Sequence, residues 1–98
     1  MEFDLKVRCF ELGRRLWEAE FQSPQPGQVS TNPMFTYSKE LNTCVLYAGY
    51  LGPTHTSEFL IDVLGNRELA SSIRMADAGT FGLSKDDFAA RKRAFFPE

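Results

Sequence analysis

The segment MFTYSKELNTCVLYAGY, residues 34–50, decides the fold of this chain. Its two ends, MFTYS (34–38) and TCVLYAGY (43–50), are rich in aromatic and β-branched residues, which is the composition of β-strands. The four residues between them, KELN (39–42), have the length of a hairpin loop. The pattern therefore predicts an antiparallel hairpin in which Tyr37 lies opposite Cys44.

Two more strand-like runs follow this hairpin. They are SEFLIDVL (57–64) and RELASSI (67–73), and Gly65-Asn66 between them suits a two-residue turn with glycine first. The alternative is one helix over residues 56–75, but a Gly-Asn pair in its middle argues against that helix. We therefore expect a four-stranded antiparallel meander.

Helical periodicity occurs on both sides of the meander. Residues 4–20 are predicted to form an N-terminal helix that ends before Pro24, and a shorter C-terminal helix starts at the capping residue Ser84 and ends near Pro97. Residues 76–82 read as a loop. The expected fold is a single α+β domain over residues 1–98, with the N-terminal helix packed on a four-stranded antiparallel meander and a short C-terminal helix.

The N-terminal helix carries two apolar stripes on roughly opposite sides. One contains Leu5, Cys9, Leu12 and Leu16, and the other contains Phe3, Val7, Phe10, Trp17 and Phe21. We expect the Cys9 stripe to face the sheet. The Trp17 stripe is then covered by the C-terminal helix, or it forms an interface or a pocket wall.

Alternation along the strands divides the sheet into two faces. The face toward the N-terminal helix is predicted to contain Phe35, Tyr37, Cys44, Leu46, Ala48, Phe59, Ile61, Val63 and Ala70. The other face is half apolar and contains Val45, Tyr47, Leu60, Leu64, Leu69 and Ile73 together with polar residues such as Asp62 and Ser71. Such a face is too apolar to be left in water, so either the C-terminal helix or a second copy of the protein covers it.

The overall charge narrows the set of partners. The 98 residues carry a net charge of −2 with a pI near 5.4, which favours neither nucleic acid nor an anionic membrane. No run of apolar residues is long enough for a membrane span, and no signal peptide is visible. Met1 is either a native start or one supplied after removal of a leader.

The two cysteines, Cys9 and Cys44, are the first candidates for chemistry. The single histidine, His55, lies in the loop at the far end of the strand that carries Cys44, so a Cys–His nucleophile is excluded if the meander is right. A zinc site needs three or four ligands, and the two cysteines and one histidine, at scattered positions, match none of the known ligand spacings; no cofactor is expected. Cys9 and Cys44 either form a disulfide between helix and sheet or remain two buried thiols, and both possibilities stay open.

His55 and Asp62 have plain structural interpretations. We expect His55 to be an ordinary loop residue. Asp62 falls among apolar neighbours, so it needs a hydrogen-bond partner such as a turn N–H if it is buried.

A loose pattern runs through much of the chain. The pattern begins with a helix that carries one cysteine. Residues 37–44, with the pattern Y-S-x-x-L-N-x-C, come next. They are followed by a strand with Asp62-Val63 and, after a turn, by Ala70. This arrangement resembles small bacterial proteins, often exported and mostly of unknown function. The resemblance implies a helix-on-sheet domain with the two cysteines close together, and it implies no assigned activity.

The sequence thus predicts a non-enzymatic protein-binding or assembly module that self-associates as a homodimer or binds another protein. The alternative is a domain that binds a small apolar ligand in an aromatic pocket between helix and sheet. The compartment is extracytoplasmic if the cysteines are bridged and cytoplasmic otherwise. A bacterial mobile element is a possible origin that no residue supports. The residues assigned to an interface or pocket are Phe10, Trp17, Phe21, Val45, Tyr47 and Leu60.

Overall fold

The computed structural model describes residues 2–21 and 26–97, with side chains from residue 7 onward. Phe3, Leu5 and Pro24, which entered the helix predictions, lie outside the described side chains. The elements in chain order are helix α1 (Glu2–Glu20), strands β1 (Val29–Ser30), β2 (Met34–Ser38), β3 (Thr43–Leu51), β4 (His55–Asp62), β5 (Arg67–Met75) and β6 (Gly79–Gly82), and helix α2 (Lys85–Phe95).

The four predicted strands are present as β2 to β5, and the expected hairpin is confirmed in register. Residues 39–42 form its turn, and Tyr37 pairs with Cys44. The helix that we considered over residues 56–75 is wrong, because this stretch forms the β4–β5 hairpin. The α+β class is confirmed.

The strand count was wrong, because the described chain forms six strands rather than four. Short β1 pairs with the end of β3, beside β2 on the same edge, and β6 pairs with β5 at the opposite edge. Strand β6 falls in the segment predicted as a loop, and β1 lies between the first helix and the hairpin, where no strand was predicted. Neither has a strand-like pattern of its own, so their order comes from backbone pairing with a long neighbouring strand.

The β4–β5 turn also differs from its prediction. Four residues, 63–66, form the turn instead of two, and Asp62 pairs with Arg67. A β-bulge then shifts the register, so that Leu60 pairs with Ala70. As a result Ala70 lies on the opposite face from the one predicted, and Ile73, which pairs with Ser57, moves to the α1 side.

Each face of the sheet is covered by one helix, which gives three layers. On the α1 face, Phe21, Leu46 and Ala48 form the centre of a cluster with half-buried neighbours on helix and sheet. On the α2 face, Phe88 inserts into a cluster of Val45, Tyr47, Leu60 and Ala70. The sequence left two possibilities for what covers that face, the C-terminal helix or a second copy of the protein. In the structure it is the C-terminal helix.

Helix α2 begins and ends near the predicted positions. The Ser84 side chain caps it by accepting a hydrogen bond from the Asp87 backbone N–H at 3.1 Å. Because α2 lies across the sheet from α1, it does not cover Trp17, which corrects one of the two expectations for that residue.

The two stripes of α1 are less distinct than predicted. Cys9, Leu16, Trp17 and Phe21 all contact the sheet side, whereas Phe10 is 56% exposed. The sheet twists beneath the helix, so the side of α1 that faces it changes along its length. Gly13 lies close to the sheet, since a Cβ there would overlap the Phe35 ring.

Candidate interaction surfaces beside the first helix

Cys9 of α1 and Cys44 of β3 are joined in the structure as a disulfide. Both residues are buried, their Cα atoms are 5.2 Å apart, and 35 positions separate them in sequence. This pairing selects the disulfide from the two states that the sequence left open. It also removes both sulfurs as nucleophiles or metal ligands and ties the N-terminal half of α1 to the start of β3.

Three of the residues assigned to an interface or pocket are core residues instead. Val45 and Leu60 are fully buried, and Tyr47 is nearly so. They lie beneath Phe88, and the tyrosine and phenylalanine ring centroids are 6.2 Å apart. With α2 in this position they offer no surface to a partner, because the helix already occupies the apolar face that the sequence left without a cover.

Tyr47 also organises a charged network at the margin of α2. Its hydroxyl donates to Glu58 Oε1 at 2.7 Å, and Arg74 donates to Glu58 Oε2 at 2.9 Å. Lys92 of α2 places its Nζ 3.9 Å from the centre of the tyrosine ring. Burial raises the pKa of Tyr47, and the hydrogen bond to Glu58 raises it further. The Tyr47 phenol therefore stays neutral. The charge of Glu58 is paired with that of Arg74, which is typical of a cluster that stabilises the fold.

Asp62 has the turn N–H partner that we expected. Its buried carboxylate accepts from the Gly65 N–H at 2.9 Å, from Arg67 Nε at 3.1 Å and from the Thr43 hydroxyl. Burial raises the pKa of Asp62, but the hydrogen bonds from Thr43, Gly65 and Arg67 outweigh it and hold the pKa below its ordinary value. The residue holds the β4–β5 turn together.

The first open surface lies where α1 meets the edge strand β2. Phe10 projects here and contacts Phe35 edge to face, with ring centroids 5.9 Å apart. Glu11 and Arg14 line the same depression between helix and strand. Within the described ranges, β2 pairs only with β3, so its outer edge has no strand beside it.

The second open surface lies on the other side of α1. An open cavity of about 330 Å³, widely exposed to solvent, lies between the C-terminal end of α1 and strands β4 and β5. Its apolar walls and its polar rim are contributed by helix and sheet together: Leu16, Phe21, Phe59 and Ile61 form the walls, and Glu20, Asn66, Arg67 and Glu68 form the rim.

Two of the predicted aromatic residues contribute to this side of the helix. Phe21 is buried against Tyr50 and Phe59, with centroid distances of 5.9 and 5.8 Å. Trp17 is half-buried in the same cluster. Phe10 lies at the β2 edge instead, so the structure separates the predicted interface residues into two surfaces and the α2 core.

Sequence reasoning missed Glu20, Phe59 and Glu68 as site residues. Alternation placed Phe59 on the correct face, but it did not show that α1 leaves this part of the sheet open. A size argument could have found it, since a helix about 10–12 Å wide covers roughly two strands spaced about 4.8 Å apart.

His55 is not a loop residue, because it begins β4 opposite Met75. Among the residues with described side chains, no three His, Cys, Asp or Glu side chains cluster as a metal ion would require. No helix of the described chain is long and apolar enough to cross a membrane. Comparisons with protein families, with curated proteins and with solved structures found no match to this chain.

Proposed function

We propose that the chain is a non-enzymatic protein-binding module that self-associates through the edge of β2 and the adjoining side of α1. The observation that carries this proposal is the open edge strand lying beside an exposed phenylalanine, Phe10. An unpaired edge offers a row of backbone donors and acceptors to another strand, and an exposed aromatic side chain beside it adds apolar contact area.

A second copy fits this edge by symmetry. Antiparallel pairing of β2 with β2 of the other copy is isologous, with the two-fold axis near Thr36, and it joins the two sheets into one. Because this axis is perpendicular to the sheet, both α1 helices lie on the same side of the joined sheet. Phe10 of each copy is then buried against the other copy.

The charges beside Phe10 suit the same arrangement. Glu11 and Arg14 lie three positions apart on α1 and line the same depression. In antiparallel helices related by a two-fold axis, the glutamate of one copy lies toward the arginine of the other. Arg14 also reaches Glu18 at 4.0 Å, but that exposed pair holds it weakly. The edge is therefore complementary to itself in charge as well as in backbone pairing.

The opposite edge of the sheet is a poorer candidate. Strand β6 has only four residues, and the glycines at its two ends, Gly79 and Gly82, both have positive φ angles. These kinks shorten the straight part of the strand available to a partner. Strand β2 has five residues, with Pro33 before it and Lys39 after it. Pairing is thus confined to the span between those residues.

Light scattering coupled to size-exclusion chromatography tests the proposal. We expect a monomer–dimer equilibrium with a dissociation constant on the order of 10–100 µM, because an edge interface of this kind is small. Phe10→Glu places a charge in the interface and should weaken the dimer at least tenfold. Because Phe10 is already 56% exposed, the substitution should not unfold the protein. A strict monomer at 100 µM wild-type protein would contradict the proposal.

Leu64→Glu is the matched control. Leu64 is 52% exposed in the β4–β5 turn, away from β2, so the same substitution there should leave the dimer unchanged. Equal weakening by both variants would show that added charge, rather than this surface, controls association.

A second candidate function is the binding of a small apolar ligand between helix and sheet. The cavity of about 330 Å³ beside Phe21 and Phe59 supports it, because it falls within the size range of ligand sites and its walls are mostly apolar. A thermal-shift screen with apolar and aromatic metabolites tests it. Unchanged melting temperatures across the set would rule it out.

We also propose that the protein works in an oxidising, extracytoplasmic compartment. The buried disulfide supports this, since such bonds persist outside the reducing cytosol. Alkylation of free thiols at the moment of cell lysis should leave Cys9 and Cys44 unmodified. Modification of both would place the protein in a reducing compartment.

A further inference from the structure

We infer that the cavity beside the C-terminal end of α1 selects organic cations, meaning molecules with an ammonium group on an apolar or aromatic body. This inference rests on the second candidate function, because it requires the cavity to bind a ligand. The inference specifies the chemical class of ligand that the cavity prefers. Three features of the described residues support it.

The first feature is the unbalanced charge at the end of α1. The last turn of the helix contains no basic residue, and Glu18 and Glu20 add negative charge to the negative end of the helix dipole. A cation near a helix C-terminus is favourable, whereas carboxylates there are not. Glu18 is partly compensated by Arg14, but no ion-pair partner for Glu20 occurs among the described side chains.

The second feature is the charge of the cavity rim. Glu20, Arg67 and Glu68 are its three charged residues. Arg67 donates to buried Asp62 at 3.1 Å, so its charge is already paired at the turn. Glu20 and Glu68 are exposed and approach the cavity from opposite walls, helix and sheet. The rim therefore has a net negative charge that a bound cation would neutralise.

The third feature is the wall of the cavity. Phe21 and Phe59 contribute aromatic rings whose centroids are 5.8 Å apart, and Leu16 and Ile61 complete the apolar lining. Aromatic rings attract an ammonium group through their negative faces, and the apolar lining accepts the hydrocarbon body of the ligand. A simple metal or ammonium ion would use only the rim, so the cavity as a whole suits an amphiphilic cation.

Three matched probes test the charge preference. They are 4-phenylbutylammonium, 4-phenylbutanol and 4-phenylbutanoate, which share one apolar body and differ in the charge of the head group. Binding to the full chain is measured by titration followed in amide NMR spectra. We expect the ammonium to bind about tenfold more tightly than the alcohol, as two partly screened carboxylates would give, and the carboxylate to bind more weakly than the alcohol. The shifted amides should be those of Phe59, Ile61 and Glu68.

Variants locate the effect. Glu20→Gln combined with Glu68→Gln should remove the preference for the ammonium, so that the ammonium and the alcohol bind with equal affinity. Glu40→Gln, in the exposed β2–β3 turn, removes the same kind of charge elsewhere and should change nothing. Both substituted glutamates are exposed, so the variants are expected to fold like the wild type.

The outcomes separate the inference from the function on which it rests. Equal affinities for ammonium and alcohol, or tighter binding of the carboxylate, would overturn the cation preference and leave a ligand-binding cavity. A preference that survives the double Gln variant would overturn the assignment to Glu20 and Glu68. Absence of binding by all three probes would overturn both the inference and the second candidate function.

Discussion

The two faces of the sheet are completed in different ways. On the α2 face the helix is held by packing, with Phe88 inserted into a fully buried cluster. Beside α2 the sheet carries the hydrogen-bonded network of Tyr47, Glu58 and Arg74. On the α1 face the helix is tied covalently by Cys9 and Cys44, and the sheet beside it carries apolar side chains.

This difference separates a polar uncovered surface from an apolar uncovered surface. One helix covers about two strands, so each face of this sheet has a part that its helix does not reach. On the α2 side that part is filled with paired charges, which are stable against water. On the α1 side it contains Phe59, Ile61 and Ile73, and apolar surface left in this way is typical of binding sites.

The largest loss of stability is expected from a substitution in the packed core on the α2 face. Phe88→Ala removes a ring that is 1% exposed and should lower the free energy of unfolding by about 3–5 kcal/mol. Chemical denaturation followed by circular dichroism measures the loss. Phe81→Ala is the control, because that ring is 51% exposed and its removal should cost less than about 1 kcal/mol. Equal losses would show that α2 is not held by Phe88.

The next largest loss of stability is expected from removal of the disulfide on the α1 face. Replacing Cys9 and Cys44 together by serine should lower the free energy of unfolding by about 3–4 kcal/mol, since the disulfide closes a loop of 35 residues. Reductant should destabilise the wild type similarly and leave the double variant unaffected. Thiol counting in denaturant without reductant should find no free thiol. Two titratable thiols would contradict the bridge.

A smaller effect tests how closely α1 approaches the sheet. Helix propensity alone predicts that Gly13→Ala stabilises the protein by about 1 kcal/mol. The structure predicts the opposite sign, a loss of about 1–3 kcal/mol, because the new Cβ would overlap the Phe35 ring. Thermal unfolding of this variant decides between them. The double variant Gly13→Ala with Phe35→Leu should recover stability if the ring is the cause.

The smallest effect concerns the β4–β5 turn and depends on pH. The native pKa of Asp62 lies below its ordinary value of 3.8, so the stability it contributes is complete above pH 3.8 and is lost as the pH falls through the native pKa. Asp62→Asn should cost about 1–2 kcal/mol at neutral pH and flatten the acid decline in stability. An unchanged acid profile in denaturation experiments from pH 2 to 7 would contradict this role.

The sequence predicted the elements that have strong local patterns. The 34–50 hairpin, both helices and the Ser84 cap follow from composition, periodicity and capping rules, and the structure has each of them. It missed β1 and β6 and the bulge that reverses Ala70 and Ile73. These features depend on backbone pairing with neighbouring strands, which local patterns do not encode.

The candidate site could be predicted only in part. Phe10 is exposed beside an edge strand, and Trp17 and Phe21 lie on the cavity side of α1, but Val45, Tyr47 and Leu60 are core. Their alternation was identified correctly. What alternation could not give was which helix lies over which face.

The sequence by itself determined an α+β chain with an antiparallel hairpin that aims Cys44 toward a helix carrying Cys9, because side-chain alternation and helical period are local properties. Only the tertiary structure decided that α2 covers Val45 and Leu60, that the two cysteines meet, and that apolar side chains remain open on the two sides of α1. Those outcomes depend on the width of a helix relative to the sheet and on where each helix packs. Local sequence patterns determine neither of them.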